Sequence, residues 1–341
     1  MTSDSSGGRD GAVGIREVAA EAGVSPGTVS NVLNRPDRVA AATRERVLQA
    51  IETLGFVRNG SASRLRAGRG RLVGLMVHDL ANPFFAGLAS GVEDLMSERG
   101  HGVILCSSAT SSEREARNLR MLAEQGVRGV LVTPVDDRPE RLAVLRERGI
   151  AAVMLDHAAT RPHQCAVSVD DVTGGRLAVD HLLERGAADI AYVSGPVSLR
   201  QCADRLTGAR AAVEAAGRGT VSHLVVDDLT AASGEKAGER LLAGDLPDAV
   251  FCANDLLAMG VLRVLLRQGV RVPRQVLLMG YDDIEYASAP AVPLSSVRQP
   301  TYRLGRIAAE LLLDECDDPE GHAHQQIRFQ PELVARESTR P

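Results

Sequence analysis

Six short polar segments each follow an apolar run closely enough to share one binding site. They are Asp79-Leu-Ala-Asn82-Pro-Phe84-Phe85, Asp156-His157, Gly195-Pro196 with Arg205 and Gly208 beyond it, Ala253-Asn254-Asp255, Gly280-Tyr281-Asp282-Asp283, and Gln299. Carboxylates and amides exchange paired hydrogen bonds with neighbouring hydroxyls, and an aromatic ring covers the apolar C–H face of a ring compound. A site made this way penalises a missing hydroxyl more than a missing methylene. The local alternatives are plain. Asn82 and Asp282 could cap turns, Phe84 could belong to a core, and Asp255 is expected to cap the helix after it.

Other chemistry is weaker. His157, His181 and His223 could act as bases, and Asp282-Asp283 could form a carboxylate pair. No nucleophile elbow, phosphate loop or metal-ligand spacing accompanies them. The glycines of Val172-Thr-Gly-Gly175 and Gly68-Arg-Gly70 are too weak a signal to use. His322-Ala-His324 could bind a metal but reads as a solvated pair in a polar segment. No catalytic group, metal or cofactor is therefore expected, and an enzyme is disfavoured.

A second kind of chemistry lies in Ile15–Asn34. Val18, Ala19 and Ala22 share one helical face. Gly23 suits a left-handed helix stop. Ser25 can cap a second helix that starts at Pro26. That helix is expected to bury Val29, Val32 and Leu33 and to leave Thr28, Ser30, Asn31 and Asn34 outside. A small, polar, acid-free outer face can lie in the major groove of DNA. The bland alternative is a helical hairpin with a solvated face.

The elements that would position these groups can be read in outline. Thr43–Leu54 is expected as a third helix with Val47, Leu48, Ile51 and Leu54 on one side. Beyond Leu72, apolar runs at Leu72–Val77, Gly102–Cys106, Gly129–Val132, Ala151–Leu155, Ile190–Ser194, Val221–Val226, Ala249–Cys252 and Val276–Met279 alternate with helical stretches. Alternation of this kind implies βαβ units and parallel sheets. Ligands of such sheets bind at the carboxyl ends of the strands.

Charge divides the chain in the same place. The first 72 residues hold eleven arginines against seven acids, +4, and the remainder 28 basic against 37 acidic residues, −9. A basic head on an acidic body suits a DNA-binding sensor. Five scattered cysteines suggest reduced thiols. Met1–Gly14 is polar and lacks the apolar core of a signal peptide, and no run is long enough to span a membrane. The expectation is a cytoplasmic protein, which also counts against an exported solute-binding protein.

Val24-Ser-Pro-Gly-Thr-Val-Ser-Asn-Val-Leu-Asn34, Arg44-Glu-Arg-Val47 and Gly55-Phe56, followed by Asn-Pro-Phe-Phe, Ala-Asn-Asp and Gly-Tyr-Asp-Asp in that order, resemble the LacI/GalR family of bacterial transcription regulators. The resemblance covers nearly the whole chain. It implies an α/β protein with an N-terminal three-helix helix-turn-helix headpiece and a periplasmic-binding-protein-like body of two doubly wound parallel-sheet subdomains. The expected division is a disordered tail (1–13), the DNA-binding domain (14–58), a hinge helix and linker (59–71), and an effector-binding and dimerisation domain (72–341). One subdomain is expected over about 72–168 and 300–325, the other over about 169–299 and 326–338.

The resemblance implies double-stranded DNA with a pseudo-palindromic operator as partner, read by a homodimer. Ser25, Pro26, Gly27, Thr28, Ser30, Asn31, Asn34, Asn59, Arg64 and Leu65 are the DNA-binding candidates. Asn31 would face bases, Thr28 and Ser30 phosphates, and Leu65 would wedge into the minor groove. Asn82, Phe84, Phe85, Asp156, Arg205, Asn254, Asp282 and Gln299 are the effector-binding candidates. The chain departs from the family at Ala40, where Ser is common, at Asn31, where Arg is common, and at Leu229, where a stacking aromatic is common. A sugar is the favoured effector, with a nucleoside, another small molecule or none as alternatives. The last strand is expected near Gln326–Phe329 with no heptad helix after it, so a dimer rather than a tetramer is expected.

Overall fold

A computed structural model describes residues 13–56, 70–136, 138–159 and 161–340. The expected tail through residue 12 and the expected hinge residues Asn59, Arg64 and Leu65 lie outside them. The chain divides into a head unit, residues 1–69, and a body unit, residues 70–341.

The head contains α1 (Ile15–Glu21), α2 (Pro26–Asn34) and α3 (Ala41–Leu54). Gly23 and Gly55 adopt φ of +64° and +60°, so each ends its helix in the left-handed conformation that suits glycine. Ser25 caps α2, its Oγ accepting from Thr28 N at 3.1 Å, and Pro26 takes the first helical position. The core is Val18, Ala19, Ala22, Val29, Val32, Val47 and Ala50. Two sequence expectations need correction. Leu48 is 51% exposed and Ala50 takes the buried position, because the face holding Val47 recurs at three-residue spacing. Leu33 is only partly buried.

In the body, six parallel strands form the first sheet in the order β11-β5-β4-β3-β1-β2. They are β1 (Leu72–Val77), β2 (Gly102–Ser107), β3 (Gly129–Val132), β4 (Ala151–Leu155), β5 (Ala166–Val169) and β11 (Gln326–Phe329). Two apolar clusters cover it. One draws on α4 (Pro83–Glu98) and α11 (Thr301–Asp317), the other on α5 (Ser112–Glu124) and the short α6 (Ala143–Arg146).

The second sheet runs β7-β6-β8-β9, all parallel, from β6 (Asp189–Ser194), β7 (Thr220–Val225), β8 (Ala249–Cys252) and β9 (Leu277–Met279). Ile190 to Ser194 is buried at every position, which requires cover on both faces. That cover comes from α7 (Asp171–Glu184), α8 (Arg200–Ala216), α9 (Ala231–Leu242) and α10 (Asp255–Arg267). The pairs α7–α8 and α9–α10 approach closely. A Cβ on Gly208 would stand 1.9 Å from Val172 O, and one on Gly175 would stand 2.0 Å from Arg205 O. These glycines let α8 sit on α7, which fixes where Arg205 emerges.

The chain crosses between the two lobes around Asp170, around Gln299 and around Gln330. The last crossing corrects the sequence reading, which placed 326–338 with the second sheet. β11 pairs with β5 in register Gln326↔Ala166, and only β12 (Glu332–Val334) returns to the second lobe, antiparallel to β10 (Ser296–Arg298). β12 is also a later strand than the sequence suggested. The alternating pattern of a four-residue strand says nothing about which edge it joins.

Candidate functional site

Between the lobes of the body lies a cavity of about 340 Å³. Asn82, Phe84, Phe85, Asp156, Arg205, Asn254 and Asp282 line it. The eighth candidate, Gln299, does not line it. It sits at a lobe crossing and donates from Nε2 to Asp282 Oδ1 at 2.8 Å. His78, Asp79, Thr110, Ser198, Gln201, Asp228, Leu229 and Thr230 complete much of the wall.

Each lining side chain is positioned by a local rule. Asn82 caps α4, its Oδ1 accepting from Phe84 N at 3.0 Å, and Pro83 opens the helix. That turn presents Phe84 and Phe85, whose rings meet edge to face with centroids 5.0 Å apart. Asn254 caps α10 through Leu257 N at 2.9 Å and donates from Nδ2 to Leu229 O at 2.9 Å. Asp255 does not cap, contrary to the sequence reading. Its Oδ1 accepts from Ser296 Oγ at 2.7 Å and its Oδ2 from Ile284 N at 2.9 Å, so it ties the helix start to the loop after β9.

Arg205 is buried and held through Nε and Nη1. Nε donates to Asp171 Oδ1 at 2.8 Å, Nη1 to Ala253 O at 2.5 Å, and the guanidinium lies 3.6 Å from the Tyr281 ring centroid. Its Nη1 is 4.0 Å from Asp282 Oδ1. Burial works against the charge, but Asp171, Tyr281 and Asp282 outweigh it and hold its pKa above the ordinary value.

The two cavity carboxylates sit in unusual backbone, Asp156 at φ +52° and Asp282 at φ +98°. Such positions persist only where the surroundings over-determine them, and they concentrate at functional sites. Burial pushes the Asp156 carboxyl up to about 8, with Asp171 adding and Arg205 opposing. Burial likewise pushes Asp282 up to about 6, while Arg205, Gln299 and Asn82 draw it down. Burial beside His157 lowers His78 to about 4, which leaves a neutral imidazole against the cavity. Asp156 Oδ1 is buried without a hydrogen-bond partner. A ligand hydroxyl would supply one.

The catalytic alternatives separate in space. Asp283 turns away from Asp282 to ion-pair with Arg298 and Arg336 at 2.7 Å each. His181 meets Thr339 and His223 meets Ser194, both away from the cavity wall. His157 is buried and does not line it. Nothing in the local sequence marks Gln201, whose partner lies 45 positions earlier.

On the head, Ser25, Pro26, Gly27, Asn31 and Asn34 are exposed along α2, while Thr28 and Ser30 are half-buried. Thr28 Oγ1 bonds Ser25 Oγ at 2.9 Å. Asn34 Nδ2 donates to Ser30 O at 2.8 Å and Ser30 Oγ at 3.2 Å.

A helix-turn-helix head unit and a two-lobed body unit with a polar-rimmed cavity together suit the class of DNA-binding regulators. Comparison with known proteins narrows this class. Residues 14–59 match the model of bacterial regulatory proteins of the lacI family, and residues 179–339 match a periplasmic binding protein-like domain. The HTH-type transcriptional repressor PurR of Aliivibrio fischeri is 34% identical over 329 residues, covering 95% of this chain and 97% of that protein. The transcriptional regulator CelR in complex with cellobiose is 36% identical, with TM-score 0.71 over 96% of this chain and 99% of its own. The lac repressor dimer bound to operator and the anti-inducer ONPF is 28% identical, with TM-score 0.82 over 96% and 99%. The chain belongs to the LacI family of bacterial regulatory proteins. It is a DNA-binding transcription repressor of that family and not an enzyme. Among the described residues no helix is long and apolar enough to cross a membrane.

Proposed function

We propose that this repressor binds a pseudo-palindromic operator as a homodimer and that a sugar or sugar derivative in the body cavity controls its grip. The observation that carries the effector reading is the cavity itself. Asn82, Asp156, Arg205, Asn254 and Asp282 converge from both lobes beside Phe84 and Phe85, a mixture suited to hydroxyls on one side and C–H faces on the other. Its volume lies at the small end for small-molecule sites. Likeness to a cellobiose-bound regulator supports the sugar class. Leu229 in the wall, in place of a stacking ring, favours a ligand held by hydrogen bonds over one held by stacking.

Operator reading is assigned to α2. Asn31 faces bases, where an amide pairs bidentately with adenine. Pro26 and Gly27 admit close approach, and Thr28 and Ser30 hold phosphates. Asn59, Arg64 and Leu65 are assigned to the adjoining minor groove. Two such heads match twofold operator symmetry, and likeness to an operator-bound repressor dimer supports this. Leu105 on edge strand β2 is 42% exposed, apolar surface that a second copy could cover. A DNA target supports a cytoplasmic location. The ligand changes DNA affinity only through its differential affinity for the two lobe arrangements.

The test is a thermal-shift screen of the purified chain against sugars and nucleosides. A bound sugar raises the melting temperature by mass action, and Asp156→Asn and Asp282→Asn reduce that rise. A panel in which nucleosides alone shift the transition overturns the sugar class, and a panel in which nothing does overturns the effector reading.

A further inference from the structure

Well away from the cavity, four side chains with metal-binding atoms meet at the amino ends of β5 and β11. Cys165, immediately before β5, is fully buried. Its Sγ lies 3.0 Å from His322 Nε2 and 3.7 Å from His324 Nδ1. Glu315, in the last turn of α11, places Oε2 4.0 Å from His324 Nδ1. The four donor atoms all lie within 4.8 Å of one another. They come from three chain segments, the start of β5, the end of α11, and the turn between α11 and β11.

From this geometry we infer a tetrahedral metal site made by Cys165, Glu315, His322 and His324, which takes a zinc-class divalent ion. Bond lengths of about 2.0–2.3 Å around zinc put neighbouring ligand atoms roughly 3.3–3.8 Å apart, so small side-chain adjustments complete the shell. Thiolate, imidazole and carboxylate together suit zinc and its borderline neighbours, whereas magnesium and calcium prefer oxygen alone. Two further features suit metal ligation. Gln325 N donates to Cys165 Sγ at 3.3 Å, an outer contact that steadies a thiolate. Glu315 Oε2 is buried without a hydrogen-bond partner, on a side chain only 18% exposed. Binding exchanges the Cys165 thiol proton for a sulfur–metal bond and releases that proton to solvent, with no change in oxidation state.

Four protein ligands leave no open position, so the site is a clip rather than a reaction centre. It fastens the turn before β11 to the start of β5. β11 is the last strand of the first lobe before the chain crosses to β12, so the clip anchors one of the lobe crossings. By sequence alone His322 and His324 read as a solvated pair. Their neighbour Cys165 stands 157 residues earlier than His322.

The experiment uses the full chain, stripped with a chelator and reloaded with zinc or cobalt(II). The expected result is one equivalent of zinc retained per chain by elemental analysis after gel filtration. The cobalt form is expected to show the intense visible bands of a tetrahedral ion and a sulfur-to-cobalt charge-transfer band in the near ultraviolet. The double change His322→Ala/His324→Ala touches only the turn and should keep the far-ultraviolet circular dichroism while abolishing both signals. Cys165→Ser should remove the charge-transfer band specifically. The proposal is overturned if the stripped chain takes up no stoichiometric zinc, if the double variant retains it, or if bound cobalt shows no sulfur band.

Discussion

Gln201 of the second lobe hydrogen-bonds Asp156 of the first through both its carboxylate and its backbone. Nε2 donates to Oδ2 at 3.0 Å and to the carbonyl oxygen at 3.1 Å. The cleft is therefore latched by the chain's own groups, next to a cavity carboxyl whose pKa burial raises to about 8.

Removing that latch should loosen the lobes. Gln201→Ala deletes two hydrogen bonds, each worth about 0.5–1.5 kcal/mol net. The body is expected to melt a few degrees lower, as read by calorimetry at neutral pH. An unchanged transition would mean that the contact contributes nothing to holding the lobes together.

Asp156 should make the body's stability depend on pH in a stated direction. An unfolded aspartate titrates near about 3.9, and the folded one at about 8. Between those values the folded chain holds a proton that the unfolded chain has lost. Its stability therefore falls as pH rises through this window and levels off above it. Asp156→Asn should flatten the melting temperature between pH 5 and about 8. A hydroxyl ligand donating to Asp156 favours the carboxylate, so binding should release a proton and tighten as pH rises toward about 8. Calorimetric titration in two buffers of different ionisation heat measures that proton directly.

Asn31→Ala should remove base discrimination of about 1–3 kcal/mol at one position of each half-site. Affinity for random DNA should change little, since that rests on phosphate contacts. Asn34→Ala is the comparison, because its amide already bonds Ser30 within the helix, and it should alter base preference less. Competition binding against single-base operator variants separates the two.

The third helix of the head starts without a side-chain cap, since Ala40 holds the N-cap position with φ −55° and ψ 139°. Ala40→Ser should add a hydrogen bond to the first turn and stabilise the helix by about 1 kcal/mol. Amide exchange at Thr43 and Arg44 in the full chain should slow by about fivefold. Equal exchange rates would show that the first turn frays regardless of its cap.

Sequence alone determined what short-range physics controls. Gly23, Ser25 and Pro26 specify a turn and a helix start within four residues, and apolar runs specify strands whose ends carry polar groups. Those local rules, with the family's motifs, named seven residues that line the cavity between the lobes, out of eight candidates. Local rules also misassigned neighbours. Asn254, not Asp255, caps α10, because the Asp255 carboxylate is claimed by Ser296 and Ile284 across the sheet edge. Only the tertiary structure decided that β11 joins β5, that Gln299 stands behind Asp282, that Gln201 meets Asp156, and that Cys165 meets His322. The weak glycines of the sequence, Gly174 and Gly175, turn out to admit Tyr281 and the backbone of α8. Helical and strand periods report which face a residue occupies, but not which distant residue will occupy the facing position. That choice is made when the sheets close on their helices and buried polar groups must find partners.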